Sequence, residues 1–476
     1  MINKKYLLTA LLLSGLFFLL SFLSYLYPAF NQPLWLGVII LLAILAGFKL
    51  RLAVYFALGE LMIGSFGYLL AWPLGNNKIS LRLGIFAMIM LVWLIKAGAE
   101  LITEKKLTRY FTLRHSQLFK WYIGLILVIL AGAAWGYLRG NQPSNVFFDA
   151  NAWLFFFYLL PMFDVLDRDK LKEILGLLAG ANLAVFILTF FSFVAFTQNW
   201  QSVATPLYGW LRDYRIGEIT FAGGNLWRIF FQSQVYSAVG AAIWFWLWAN
   251  EEKIKIKSWN LFLFIFSSLT VVISLSRSFW LGCGASGVLV ICYLLFAKKA
   301  GIKRLTAIGL ILILILAGEL LLVRMIAGAG SGDLLAERLT DINGVAGASR
   351  WNQLIPLGAA IARHPLIGSG FGATATYQSL DPRIVKAHPD GWYTTYAFEW
   401  GYLDIILKIG TIGLLVYLIF IGLIIKGLKS QIQNPNVQMG LLAGLVVILV
   451  ANVFTPYLNH PLGIGYLLIL ASTLKN

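Results

Sequence analysis

The chain has 476 residues, is 60% hydrophobic with a mean hydropathy of +0.81, and carries a net charge of +17. That composition excludes a soluble globular protein and predicts an all-α polytopic membrane protein, because only a helix satisfies its own backbone while crossing lipid. The positive charge is spread through short connections between apolar spans, so it reads as orientation and contact with membrane lipids, with no nucleic acid as partner.

About 14 transmembrane helices are predicted, at approximately 6–27, 34–48, 52–72, 82–98, 119–138, 150–166, 173–196, 233–250, 258–276, 279–297, 304–323, 397–426, 438–455 and 461–474. The first follows Lys4 and Lys5. It is too long for a signal-peptide core and has no small-x-small cleavage site, so it reads as a retained helix. Residues 1–232 form an N-terminal set of spans ending in a long connection. Residues 233–476 form a second set with a longer connection over 324–396. The stretch 397–426 exceeds one crossing, and Gly401, Gly410 and Gly413 give it places to break. Cys283 and Cys292 share one span about 13 Å apart, too far for a bridge.

Placing the lysine-rich connections in the cytoplasm puts 18 of 21 lysines inside and 11 of 16 arginines outside. Topogenesis explains the lysines but not arginines on the far side. Arginine has a fixed charge and a fork suited to phosphate. The pattern fits a phosphorylated, lipid-borne substrate held at the outer face.

Both long connections then lie outside. The first carries Arg212, Arg215 and Arg228. The second carries Arg338, Arg350, Arg363, Arg383, His364 and His388. Within it, Ser349 is a predicted N-cap, and Trp351, Leu354, Leu357 and Ile361 recur at near-helical spacing. This predicts a helix from 349 to 363, with Arg350 beside free N–H groups at its start. Arg277, in Leu275-Ser-Arg-Ser, stands between two spans as a candidate phosphate clamp or a snorkelling interfacial arginine. Arg212 and Arg215, three apart, would share one phosphate if helical. The run from His364 to Gly372 has no preceding strand and no Lys-Ser/Thr after it, so it reads as a docking turn and not a nucleotide loop.

Glu399 stands where the outer connection meets the next span. A carboxylate at that depth needs a partner or a task, so it is either a salt bridge to an outer arginine or a general base. Asp404 and Lys408 are spaced to pair. Glu60 lies mid-span without a visible role, and Glu319 is placed to neutralise Arg324 or Arg277. No metal-ligand cluster and no cofactor motif is found. The aromatics Trp351, Tyr377, Trp392 and Tyr393 suit either sugar stacking or the membrane interface.

The order Leu-Ser-Arg277, Arg350-Trp351, His364-Pro-Leu-Ile-Gly-x-Gly-x-Gly372, then Tyr402-Leu-x-Ile-Ile-Leu-x-Ile-Gly-x-Ile-Gly413 resembles the O-antigen ligase and polymerase family over roughly 230–430. Gly140 after Arg139, and Asp149-Ala150, also look like that family. The resemblance implies a glycosyltransferase fold of the C type with a large outer loop in the bacterial cytoplasmic (inner) membrane. It implies a polyprenyl-diphosphate-linked glycan donor, with a glycan or lipid acceptor. Arg277 and Arg350 fall on the family's two phosphate-binding positions. Where the family has a His followed by a small polar residue, this chain has Glu399-Trp400. A carboxylate can make the same proton abstraction, with His364 and His388 as alternatives. The implied activity is metal-independent, inverting glycosyl transfer, with polymerase favoured over ligase. The competing class is a lipid-linked oligosaccharide flippase.

Overall fold

The computed structural model describes residues 2–75, 77–328, 345–432 and 434–475. Seventeen helices are described: α1 Lys4–Leu26, α2 Asn31–Ile63, α3 Leu81–Glu104, α4 Phe119–Leu138, α5 Pro143–Trp153, α6 Leu159–Val165, α7 Leu171–Thr197, α8 Gln201–Asp213, α9 Gln234–Asn250, α10 Ile254–Ile273, α11 Arg277–Cys292, α12 Ile302–Ala327, α13 Val345–Arg363, α14 Pro382–Ala387, α15 Gly401–Gln431, α16 Pro435–Ala451 and α17 Pro461–Ser472. The protein is a multi-pass, predominantly helical membrane protein. Among the described residues, ten stretches are long and apolar enough to cross a bilayer.

Each predicted span coincides with a helix or a helix arm, but several are short. The 12 residues of α17 rise only about 18 Å, well under the roughly 30 Å of the hydrocarbon layer. The 52–72 span also stops early, at Ile63. The 33 residues of α2 would reach about 50 Å if straight. Instead Ala71 N–H bonds the Asn31 side chain at 3.1 Å and Trp35 meets Trp72 at 5.6 Å. The chain therefore doubles back at Lys49, where φ/ψ of −149°/89° interrupts the helix.

The connections sort onto two faces. On one, Asn3 N–H bonds Lys172 O at 3.1 Å, Lys96 Nζ bonds Gly47 O at 2.6 Å, Lys475 Nζ bonds Asp164 O at 2.7 Å and Arg304 bonds Ala249 O at 2.9 Å. On the other, Gln198 donates to Ile326 O at 2.8 Å, and Tyr457 to Gln232 at 3.2 Å. The predicted lysine-rich connections thus gather at one end of the bundle and the long arginine-bearing connections at the opposite end.

The loop face departs from a purely helical expectation. Among the described residues it carries three short antiparallel hairpins: β1 Ala71–Leu74 with β2 Asn77–Ser80, β3 Gly217–Gly223 with β4 Leu226–Phe231, and β5 Ala375–Gln378 with β6 Trp392–Thr395. Beneath it, α9 is buried along its whole length against α7, α10, α11 and α16. A helix apolar on every side demands such a central place. Two acids of the spans, Glu60 and Glu319, are part of this packing. Glu60 forms a buried two-pronged pair with Arg82, at 2.9 and 3.1 Å, and Arg82 also donates to Ser65 O at 2.6 Å. Glu319 does not neutralise Arg277 or Arg324. Its Oε1 accepts from Ser268 Oγ at 2.5 Å instead.

Candidate functional site

The site is assembled from two segments far apart in sequence. The first is the turn from α10 into α11. Leu275 adopts a left-handed φ of 47°, and Ser276 N–H donates to Ser274 Oγ at 3.2 Å, which reverses the chain and starts α11 at Arg277. Arg228 on β4 holds that turn: its guanidinium lies 4.4 Å over the Phe230 ring and donates to Ser274 O at 3.1 Å. Arg277 is half-buried, and no hydrogen bond or ion pair joins its guanidinium to another described residue.

The second segment is α13 laid against residues 398–400. Arg350 Nε donates to the Glu399 carboxylate. Trp400 Nε1 donates to Arg350 O at 2.9 Å, and the Trp351 and Trp400 rings meet at 5.3 Å, with Phe454 behind Trp400 at 5.5 Å. Leu357, Phe398 and Leu407 form a small apolar core under this contact. Burial pulls the Arg350 pKa below its ordinary value, and the positive charge of Arg277 lowers it further. The two arginines therefore share one electrostatic neighbourhood although they are 73 positions apart (350 − 277). The second guanidinium lies close enough to oppose the charge of Arg350, which already has Glu399 as its counter-ion.

What fixes this segment lies below it, in the broken helix α15. Gly410 has φ 71°, ψ 177° and splits the helix. The freed backbone groups are taken by the glycine-rich run from the end of α13. Thr411 N–H donates to Pro365 O at 2.9 Å and Ile412 N–H to Leu366 O at 3.1 Å, while Ser369 and Gly370 donate to Leu407 O and Lys408 O at 2.7 and 3.1 Å. A backbone break inside a membrane protein is tolerated where other protein groups satisfy it. The expected docking turn is thus a plug. It touches α4 so closely that a Cβ on Gly370, itself at φ 81°, would lie 2.3 Å from Gly136 Cα. Asn141 caps the plug by donating to Ser369 O and Phe371 O at 3.1 and 2.8 Å.

Lys408 anchors the broken helix. Its ammonium is 1% exposed and bonds Asp149 at 2.6 Å, Asp404 at 2.9 Å and Tyr396 O at 2.8 Å. The Asp404 carboxylate also accepts from Asn459, and Asp149 accepts from Gly372 N–H at 2.9 Å. The expected Asp404–Lys408 pair is present. That Asp149 completes it, and that Lys408 reaches the backbone three residues before Glu399, had no signal in residue spacing.

Other expectations are corrected. The loop helix does not start at Ser349 but at Val345, so Arg350 lies in its second turn with its N–H inside the helix ladder. Its backbone N–H is therefore not free at a helix start, and its side chain meets the Glu399 carboxylate. Arg212 and Arg215 do not lie on one helix, since α8 ends at Asp213 and Arg215 has a left-handed φ of 51°. Arg212 is exposed, pairs with Asp213 at 3.1 Å and lies over Tyr208, whereas Arg215 lies over Tyr68 at 5.2 Å. Burial and Asp149 raise the Tyr396 pKa, and Lys408 and, more weakly, Arg215 oppose them. His364 is half-buried in the turn that launches the plug, where its backbone carbonyl accepts from Gly368 N–H at 2.9 Å. His388 is exposed beside Tyr393, at 6.4 Å between rings. Among the described residues no hydrogen bond joins either histidine to Arg277, Arg350 or Glu399. Trp351 is half-exposed on its stack with Trp400. Arg338 lies outside the described residues.

Comparison with known protein families and with curated proteins returns no match for this chain.

Proposed function

We propose that the protein is a metal-independent, inverting membrane glycosyltransferase. It takes a glycan from a polyprenyl-diphosphate carrier at the outer face of the bacterial cytoplasmic membrane and joins it to a glycan or lipid acceptor, polymerisation being favoured over ligation. One observation carries the reading. Arg277 and Arg350, the two arginines selected by the sequence, lie in one electrostatic neighbourhood, and the carboxylate selected as base contacts one of them.

The arrangement supports an ordered exchange. Without donor, Glu399 is the counter-ion of Arg350, and the guanidinium occupies its carboxylate. A diphosphate, with more charge and more acceptor oxygens, competes for both arginines. The carboxylate it displaces loses its cation and gains proton affinity. The acceptor hydroxyl then attacks the anomeric carbon. Its proton passes to Glu399, and the bond from the anomeric carbon to the phosphate oxygen breaks with its electron pair going to the diphosphate. Arg277 and Arg350 stabilise that charge. A single displacement inverts the anomeric carbon. The plug in α15 favours this reading over a flippase, because the broken helix is filled by protein backbone instead of lining a passage.

The test uses the full chain in detergent with undecaprenyl diphosphate as a probe of the leaving group. Arg350→Lys keeps the charge but loses the fork, and is expected to weaken binding about 10-fold or more. Unchanged binding in both Arg350→Lys and Arg277→Gln removes the clamp. In a transfer assay with lipid-linked glycan, Glu399→His is expected to retain part of the activity that Glu399→Gln loses.

A further inference from the structure

The opposite, lysine-rich face holds a cavity of about 410 Å³ between the Thr112–His115 turn, the last turns of α15 and the segment after α17. It lies where apolar helices end: α4 begins at Phe119 and α17 stops at Ser472. Lys426, Lys475 and His115 line it together with the polar side chains of Ser116 and Gln117. The His115 ring accepts from Arg114 Nε at 2.9 Å, which adds a further cation behind the wall. Leu118, Phe163 and Leu423 supply an apolar side.

Charge balance singles this cavity out. No carboxylate lines it among the described residues. The Asp164 carboxylate, beside the Thr112 turn, is occupied: it accepts from Trp93 Nε1 at 2.7 Å, from Phe111 and Thr112 N–H at 2.8 Å each, and from Thr112 Oγ1 at 2.6 Å. Lys475 reaches only the carbonyl of Asp164, at 2.7 Å. Its burial pulls the ammonium pKa down, with Asp164 and Asp167 opposing. A partly dehydrated cation bonded to a neutral oxygen gains from an anion. A second cavity on the same face, of about 490 Å³, offers a contrast. It carries Asp169 and Glu251 beside Arg168, Lys172 and Lys253, so its charges are largely balanced within its own wall.

We propose that the cavity walled by His115, Lys426 and Lys475 binds the phosphate headgroup of an anionic phospholipid. The ammonium groups and the Ser116 hydroxyl meet the phosphate, and Leu118, Phe163 and Leu423 meet the glycerol and first acyl carbons. The site is independent of the glycosyl-transfer reading, since it lies on the opposite face from Arg277 and Arg350.

The full chain in detergent is titrated with short-chain phosphatidylglycerol, with phosphatidylcholine of equal chain length, and with inorganic phosphate, and bound species are counted by native mass spectrometry. Phosphatidylglycerol is expected to bind about 10–30-fold more tightly than phosphatidylcholine, from two basic groups at a lipid surface. The double variant Lys426→Gln, Lys475→Gln is expected to bring that ratio to about twofold. Lys172→Gln, Lys253→Gln removes equal charge from the balanced cavity and leaves the ratio unchanged. Equal affinity for both lipids, or a preference that survives the first pair, overturns the proposal. So does inorganic phosphate competing as strongly as the lipid, which would make the site one for a free anion. Unchanged phosphatidylcholine binding by the first pair shows that the variant is folded.

Discussion

Lys408 and Arg350 each hold a carboxylate, yet the Lys408 side chain is 1% exposed and that of Arg350 is 36%. The Lys408 group packs two aspartates and a backbone carbonyl around one ammonium, with Asn459 donating to Asp404, and the glycine plug lies against it. Removing any member strands a charge where water cannot reach it. The Arg350–Glu399 pair has water on one side and an arginine without a described counter-ion nearby. An open pair contributes little to stability, and its partners can be exchanged for a better ligand. The same bond type is thus a fixed anchor in one place and a replaceable contact in the other, and burial makes the difference.

Four substitutions test that contrast, taken from the largest effect. Glu399→Gln is expected to slow transfer by about 10²–10⁴-fold while thermal unfolding in detergent shifts little. Normal turnover in this variant would remove the general-base role and leave phosphate stabilisation alone. Lys408→Met should do the reverse. It leaves two buried carboxylates without their cation, a loss of about 3–5 kcal/mol, read as a large drop in melting temperature or in folded yield. A Lys408→Met protein as stable as the parent would show that the network is not an anchor. Arg350→Lys should lower transfer about 10–100-fold with a small change in melting temperature; a fall in stability matching that of Lys408→Met would place both pairs in one class. Arg212→Gln is the comparison at the exposed end, with transfer expected within about twofold of the parent.

Much of this protein was legible without coordinates. Span length and lysine bias grouped the connections correctly onto two faces, because both follow from the bilayer acting on every residue independently of its partners. The Asp404–Lys408 pair was readable for a similar reason: a helix places i and i+4 together whatever surrounds it. Gly410 was visible as a breakable point, and the run from His364 as a docking turn. What spacing could not supply was that one fills the other, since the pairing of a break with a plug depends on two segments about forty residues apart. The same limit hid Asp149 behind Lys408 and Arg228 behind the Arg277 turn. It also misassigned Glu319 and placed the start of α13 too late, at Ser349 where the helix already runs from Val345. Periodicity and solvent preference are properties of a chain segment and survive in one dimension. Which buried charge meets which, and which of them water still reaches, is settled only when the helices close around them.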